Sequence, residues 1–220
     1  CSGKMGQALV EVIAGEGGVV LGAAYDVPGS ELINHDAGSP AGKKTGVKVC
    51  EDINIGLQDC DVLIDFTRPK GSLGYLESCV TNQVPFVIGT TGFKHQEIQY
   101  IEKASLQIPI VMAPNMSVGV NLLFNLVEKA STVVGDSFDA EVIEAHHRRK
   151  VDSPSGTAIR IGEIIAAATG RDLSKSGVYS RDGIIGERGK TTIGFATIRG
   201  GDIVGDHTAL FAGEGERIEI

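Results

Sequence analysis

Positive charge is in short supply in this chain. Its 220 residues carry 20 Lys and Arg against 28 Asp and Glu, a formal net charge of −8. That balance argues against nonspecific binding to nucleic acid or to an anionic membrane surface. Long hydrophobic runs are lacking too. None reaches the ~18 residues that a membrane helix needs, and the apolar stretch 118–134 is broken by Asn121, Asn125, Glu128 and Lys129. Cysteine is sparse: Cys1, Cys50, Cys60 and Cys79 make no CxxC pair and have no histidine at zinc-ligand spacing. Free thiols in a reducing cytoplasm are the expectation, and no metal centre is expected. What the chain has in excess is glycine, 30 residues, about double the usual ~7% share.

The first 117 residues alternate short apolar runs with helical segments. Runs at 19–25, 62–66, 85–88 and 108–112 are predicted as buried parallel strands, with helices at 5–14, 72–82 and 94–105 between them. That alternation predicts an α/β fold, a Rossmann-like doubly wound parallel sheet. Gly3 and Gly6 have the spacing of the last two glycines of a dinucleotide-binding loop, and Asp26 follows where such folds place the acid that holds the adenosine ribose. A strand should precede such a loop, so a first strand is expected upstream of Cys1. A carboxylate at 26 followed by Val27 disfavours a 2′-phosphate, so NADH should be well accepted unless Lys43 or Lys44 folds back. Gly89-Thr90-Thr91-Gly92 and Ala113-Pro114-Asn115-Met116 fall at strand C-termini, where open α/β sheets bind ligands. Phe66-Thr67-Arg68 ends another strand and brings an aromatic and a cation to the same edge.

From 118 onward the pattern changes. A helix is predicted over 118–135, then a strand over 138–145, a loop, and a helix over 155–169 stopped by Gly170. Segments 191–199 and 203–212 read as strands joined through a Gly200-Gly201-Asp202 hairpin. A second α+β domain with a mainly antiparallel open sheet is therefore expected over 118–220, its outer face covered by further copies of the chain. Ile220 falls in mid-strand, so further residues are expected after it.

The segment EAHHRRKVDSPSGTA at 144–158 stands against this acidic background. His146, His147, Arg148, Arg149 and Lys150 follow one another in a predicted strand-to-helix loop. Ser155, Gly156 and Thr157 open the helix, whose free N–H groups favour carboxylate or phosphate. Histidine is the side chain best suited to exchanging a proton near neutral pH. A small dianionic ligand and a proton delivered to it are what this loop predicts. Adjacent residues on a strand point to opposite faces, which disfavours a metal shared by His146 and His147. His207, on a predicted strand, reads as structural.

These motifs, with GKMG at 3–6, DFTRP at 65–69, GTTGF at 89–93, APNMSVGVN at 113–121 and GFATIRGGDIVGDHT at 194–208, resemble those of the dihydrodipicolinate reductases of lysine biosynthesis. The resemblance implies a nucleotide-binding domain, a substrate and tetramerisation domain, a hinge that closes over both ligands, and NADH or NADPH as cofactor. It implies His146 as the catalytic proton donor/acceptor and Lys150 as its partner acid. His147, Gly156 and Thr157 match substrate-contacting positions, and Ser155 adjoins them. Ser2, Gly3, Lys4, Met5, Asp26, Gly89, Thr90, Thr91 and Ala113 to Met116 match cofactor contacts, with Arg68 beside them. The substrate it implies is a cyclic imine carrying two carboxylates, in line with the cationic loop. Two positions depart from the family pattern: Val27 stands where many enteric-type members have Arg, and Met116 where some have Phe.

Overall fold

The computed structural model describes residues 1–220, in two compact units, Cys1–Pro114 and Asn115–Ile220. No helix is long and apolar enough to cross a membrane.

The first unit runs α1 (Lys4–Gly15), β1 (Ala24–Tyr25), β2 (Val49–Cys50), β3 (Leu63–Asp65), α2 (Pro69–Asn82), β4 (Phe86–Ile88), α3 (His95–Ala104) and β5 (Ile110–Met112). All its strand pairings are parallel: β1 with β2, and β3-β4-β5 as a three-stranded sheet. Helix α2 starts with Pro69 at its first position, where the missing N–H costs nothing, and stops at Gln83, whose φ of 57° is left-handed. Leu76 and Cys79 of α2 and Ile101 and Ala104 of α3 close over Phe86 and Ile88 of the sheet, all fully or almost fully buried.

Three strand expectations change here. The run 19–25 pairs only at Ala24 and Tyr25, opposite Val49 and Cys50. Val19 and Val20 are 53% and 90% exposed. A ladder extends only where a partner backbone runs alongside, and the partner β2 is too short to leave an alternation signal. Strands β3 and β5 are the edges of their sheet, so Val62, Ile64, Val111 and Met112 stay exposed rather than buried on both faces.

The second unit runs α4 (Val118–Val134), β6 (Asp139–His146), α5 (Gly156–Ala168), α6 (Leu173–Ser176), β7 (Gly177–Val178), β8 (Ile193–Arg199), β9 (Asp206–Ala212) and β10 (Arg217–Glu219). Its sheet is open and mixed, in the order β10-β9-β6-β8-β7. Strand β9 is antiparallel to both neighbours, while β6, β8 and β7 run parallel. The expected 200–202 hairpin is not formed. Strands β8 and β9 lie on opposite sides of β6, and the turn between them is bonded to β6 and the residues after it, through Gly200 N–H to His146 O and Arg148 N–H to Gly201 O. A glycine turn reports a reversal of direction, but which strand fills the space beside it is decided by tertiary pairing.

Period-2 alternation turns Ala140 and Val142 of β6, Ile193 and Phe195 of β8, and Ala209 and Phe211 of β9 onto one face. There α4 contributes Val127 and Val134, and α5 contributes Ala158, Ile161 and Ile165. At Gly162, α5 lies close against β8: a Cβ there would lie 2.5 Å from Phe195 Cζ. Two effects compete on adding that methyl. Helix propensity favours alanine by about 1 kcal/mol, whereas overpacking costs about 1–3 kcal/mol. The contact is with a ring held in the core, so overpacking should win. Gly162→Ala is expected to lower the urea unfolding midpoint, with part of the loss recovered by adding Phe195→Leu; a neutral or stabilised Gly162→Ala would refute the packing argument.

Candidate active site

The chain crosses between β8 and β9 over the end of β6, which brings three sequence-distant segments to one place. Glu144 and His146 lie two residues apart on β6 and so share a face. Both are buried, at 1% and 8% exposure. Their side chains meet, with His146 Nδ1 2.5 Å from Glu144 Oε2. Arg199, at the end of β8, grips the same carboxylate with both terminal nitrogens, at 2.8 Å to Oε2 and 2.7 Å to Oε1. The N–H of Ser155 adds a bond of 3.1 Å to Oε1. Burial pushes the Glu144 carboxyl up, but the Arg199 bonds, then His146 and the Ser155 N–H, bring it down to about 2. It is therefore a buried carboxylate that stays ionised.

Ser155 is the N-cap of α5, its Oγ accepting from Ala158 N–H at 3.2 Å. The same Oγ lies 3.0 Å from His207 Nε2. The amides of Gly156 and Thr157 have no acceptor inside the helix. His207 stacks edge-on against His146, with ring centroids 5.0 Å apart. Burial, then the neighbouring His146, lowers its pKa, so it is neutral at neutral pH. His147 Nδ1 is buried and without a hydrogen-bond partner. Lys150 pairs with Asp152 at 2.8 Å. A Cβ on Gly205 would come 2.9 Å from His146 Nε2, so glycine at that position keeps the outer edge of the ring clear.

The structure thus gathers His146, Ser155 and the start of α5. It makes His146 the last residue of a strand rather than part of the loop, and it ties Lys150 to Asp152 rather than to His146. Three members of the cluster were missed from sequence: Glu144, Arg199 and His207. For Glu144 a signal existed, since a two-residue offset on a strand puts acid and imidazole side by side. Arg199 and His207 join only through the strand order. His207, read as structural, belongs to the cluster.

In the first unit, the loops at the C-terminal ends of the strands are anchored by carboxylates. Asp26 Oδ2 accepts from Ser2 N–H at 2.8 Å and Ser30 Oγ at 3.0 Å, and Oδ1 from Val27 N–H at 2.9 Å. Burial opposes its ionisation, but the hydrogen bonds from Ser2 and Val27 hold its pKa well below the usual carboxylate range. Asp65 is buried at the end of β3, bonded by Ser72 Oγ and by Thr90 Oγ1. Gly89 lies against the Phe66 ring, leaving no room for a side chain. Thr91 and Arg68 are exposed. At the start of α1, Gly3 is an N-cap without a side-chain cap, and a Cβ there would meet nothing within 4 Å. The first-turn amides, including Lys4 and Met5, are thus approachable, as a bound pyrophosphate requires. A carboxylate held ionised at 26 suits ribose hydroxyls. Lys43 donates to Glu11 O at 3.2 Å, on α1 rather than toward Asp26. Pro114 closes this unit, and Asn115 opens the next, where it accepts from Ser117 N–H at 2.9 Å; Met116 is 38% exposed.

A parallel-sheet nucleotide-binding unit, followed by a mixed-sheet unit with a buried histidine–carboxylate pair, defines a pyridine-nucleotide-dependent oxidoreductase. The comparisons with known proteins make this particular. Models described as dihydrodipicolinate reductase, N-terminus, and dihydrodipicolinate reductase, C-terminus, match residues 1–116 and 119–220. The chain belongs to the dihydrodipicolinate reductase family. It is 55% identical over 219 residues to the 4-hydroxy-tetrahydrodipicolinate reductase of Thiobacillus denitrificans, covering 100% of this chain and 82% of that protein. The namesake from Dechloromonas aromatica is 53% identical, covering 99% and 81%. Among solved structures, the dipicolinate-bound dihydrodipicolinate reductase from Paenisporosarcina sp. TG-14 superposes with a TM-score of 0.71 at 26% identity, covering 99% of this chain and 83% of that one.

The Glu144 carboxyl carries a pH consequence. Its folded pKa of about 2 lies below the ordinary 4.5, so the stability it contributes is complete above 4.5 and is lost as pH falls toward 2. The difference in unfolding free energy between wild type and Glu144→Gln, followed by urea denaturation, is expected to be largest above pH 4.5 and to shrink through that window. A gap independent of pH would contradict the assignment.

Proposed function

We propose that the chain is a 4-hydroxy-tetrahydrodipicolinate reductase, reducing a cyclic imine dicarboxylate with NADH or NADPH in lysine and diaminopimelate biosynthesis. The observation that carries the residue assignment is the buried His146 at the end of β6, where the most cationic segment of an acidic chain leads on to the free Gly156 and Thr157 amides at the start of α5. His146 exchanges the proton that completes the reduction, with water lost. Lys150 is the partner acid, for which it must exchange Asp152 for the substrate side. His147, whose Nδ1 is free of other partners, and the Gly156 and Thr157 amides hold the carboxylates by hydrogen bonds and by the positive end of the helix, which Ser155 caps beside them. That a relative was solved with dipicolinate bound supports a dicarboxylate ligand.

The pyridine nucleotide supplies the hydride when bound. Ser2, Gly3, Lys4 and Met5 would receive its pyrophosphate, and Asp26 its adenosine ribose. Arg68, Gly89, Thr90, Thr91 and Ala113 to Met116 would line the rest. Asp26 repels a 2′-phosphate, and the exposed Val27 offers no cation in compensation, so NADH is well accepted. The free cysteines accord with a cytoplasmic location. A homotetramer through the outer sheet face is supported by Ile198, which is 52% exposed in a single copy.

With substrate generated in situ from pyruvate and aspartate semialdehyde by the preceding synthase, both nucleotides should be oxidised. His146→Ala and Lys150→Ala should each lower kcat by about 10²–10⁴-fold, with nucleotide binding intact by titration calorimetry. Near-normal turnover in both variants would overturn the residue assignment. Val27→Arg should raise kcat/KM for NADPH relative to NADH; an unchanged ratio would sink the argument from Asp26.

A further inference from the structure

We propose that Glu144 is a positioning residue that fixes the tautomer of His146, so that Nε2 alone exchanges the proton. The inference rests on the reading of His146 as the proton-exchanging group. An ionised carboxylate has only acceptor sites, so the close contact with Nδ1 requires that nitrogen to donate. Nδ1 then keeps its hydrogen whether the ring is neutral or charged, and the exchangeable proton is confined to Nε2. The geometry serves this arrangement from both ends. Behind the ring, the carboxylate cannot rotate away, because Arg199 holds both oxygens and Ser155 N–H holds Oε1 as well. In front of it, Nε2 faces the backbone of Gly205, the one residue type there that leaves it uncovered. His207 flanks the ring edge-on without competing for Nδ1, because its own Nε2 is engaged with Ser155 Oγ.

Replacing the acid by its amide should invert the arrangement. In Glu144→Gln the guanidinium of Arg199, a donor only, takes the amide oxygen. The amide NH₂ is left facing Nδ1, which must then accept, and the ring hydrogen moves to Nε2.

The test combines spectroscopy with kinetics on the full chain. Histidine ring nitrogens are labelled with ¹⁵N, and the His146 signals are assigned by their loss in His146→Asn. At a pH where the ring is neutral, the wild type should show a protonated-type Nδ1 and an unprotonated Nε2. Glu144→Gln should show the reverse, with kcat lowered about a hundredfold or more, as a wrong tautomer does in other histidine–carboxylate pairs, and with the nucleotide KM little changed. A wild-type ring protonated on Nε2, or a Glu144→Gln variant with unaltered tautomer and turnover, would overturn the proposal. If Glu144→Gln does not fold, the wild-type spectrum decides by itself. Full turnover by His146→Asn would instead remove the catalytic reading of His146, a result the tautomer measurement keeps separate.

Discussion

A carboxylate buried to 1% exposure is the constraint around which the second unit is organised. An unpaired charge at such a depth is costly, and removing one partner of a buried ion pair costs about 3–5 kcal/mol. Glu144 escapes that cost because every lone pair it offers is met. The partners come from different elements: Arg199 from β8, Ser155 at the head of α5, and His146 from its own strand. Strand order, helix start and ring orientation therefore depend on one another. If β8 and β9 formed the hairpin their connecting glycines suggest, β6 would lose its place between them and Glu144 its guanidinium.

The same physical device recurs in the first unit. Asp65 binds the start of α2 and the loop after β4 by way of Ser72 and Thr90, and Asp26 binds the loop before α1 by way of Ser2. Tyr75 registers both: its hydroxyl pKa is raised by burial first, and then by the charges of Asp65 and Asp26. Three acids near strand C-termini thus convert flexible connections into fixed ones. An acidic chain has such groups in supply, and its few cations can be kept for where a ligand or a buried carboxylate needs them.

The helices were legible because amphipathic periodicity and a glycine stop are local signals, as at Gly170, although the expected helix 72–82 missed the first turn that Pro69 opens. Strands β3, β4 and β5 of the first unit were legible for a similar reason, being short continuous apolar runs. The strand β2 was not, since two residues carry no period. The order of the second sheet was also hidden, because Gly200 and Gly201 mark a turn without saying what lies beside it. In the candidate site the local part, His146 through Thr157, could be read from one continuous segment. Arg199 and His207 could not, for they are brought to Glu144 and Ser155 only by pairing across β6. Lys150 shows the opposite limit: its presence was plain, but its partner, Asp152, is set by a turn.

Two glycines divide the vulnerabilities of the second unit between them. At Gly162 a methyl group would press on Phe195, inside the packed core, and at Gly205 it would press on the outer nitrogen of His146. The chemical change is the same, yet the first presses on a ring of the core, and the second on the edge of the His146 ring and on a backbone held at a φ of 157° that favours glycine. The same added carbon therefore means different things at the two positions: at Gly162 it disturbs packing alone, whereas at Gly205 it shuts the outer edge of His146 and strains the backbone that carries it.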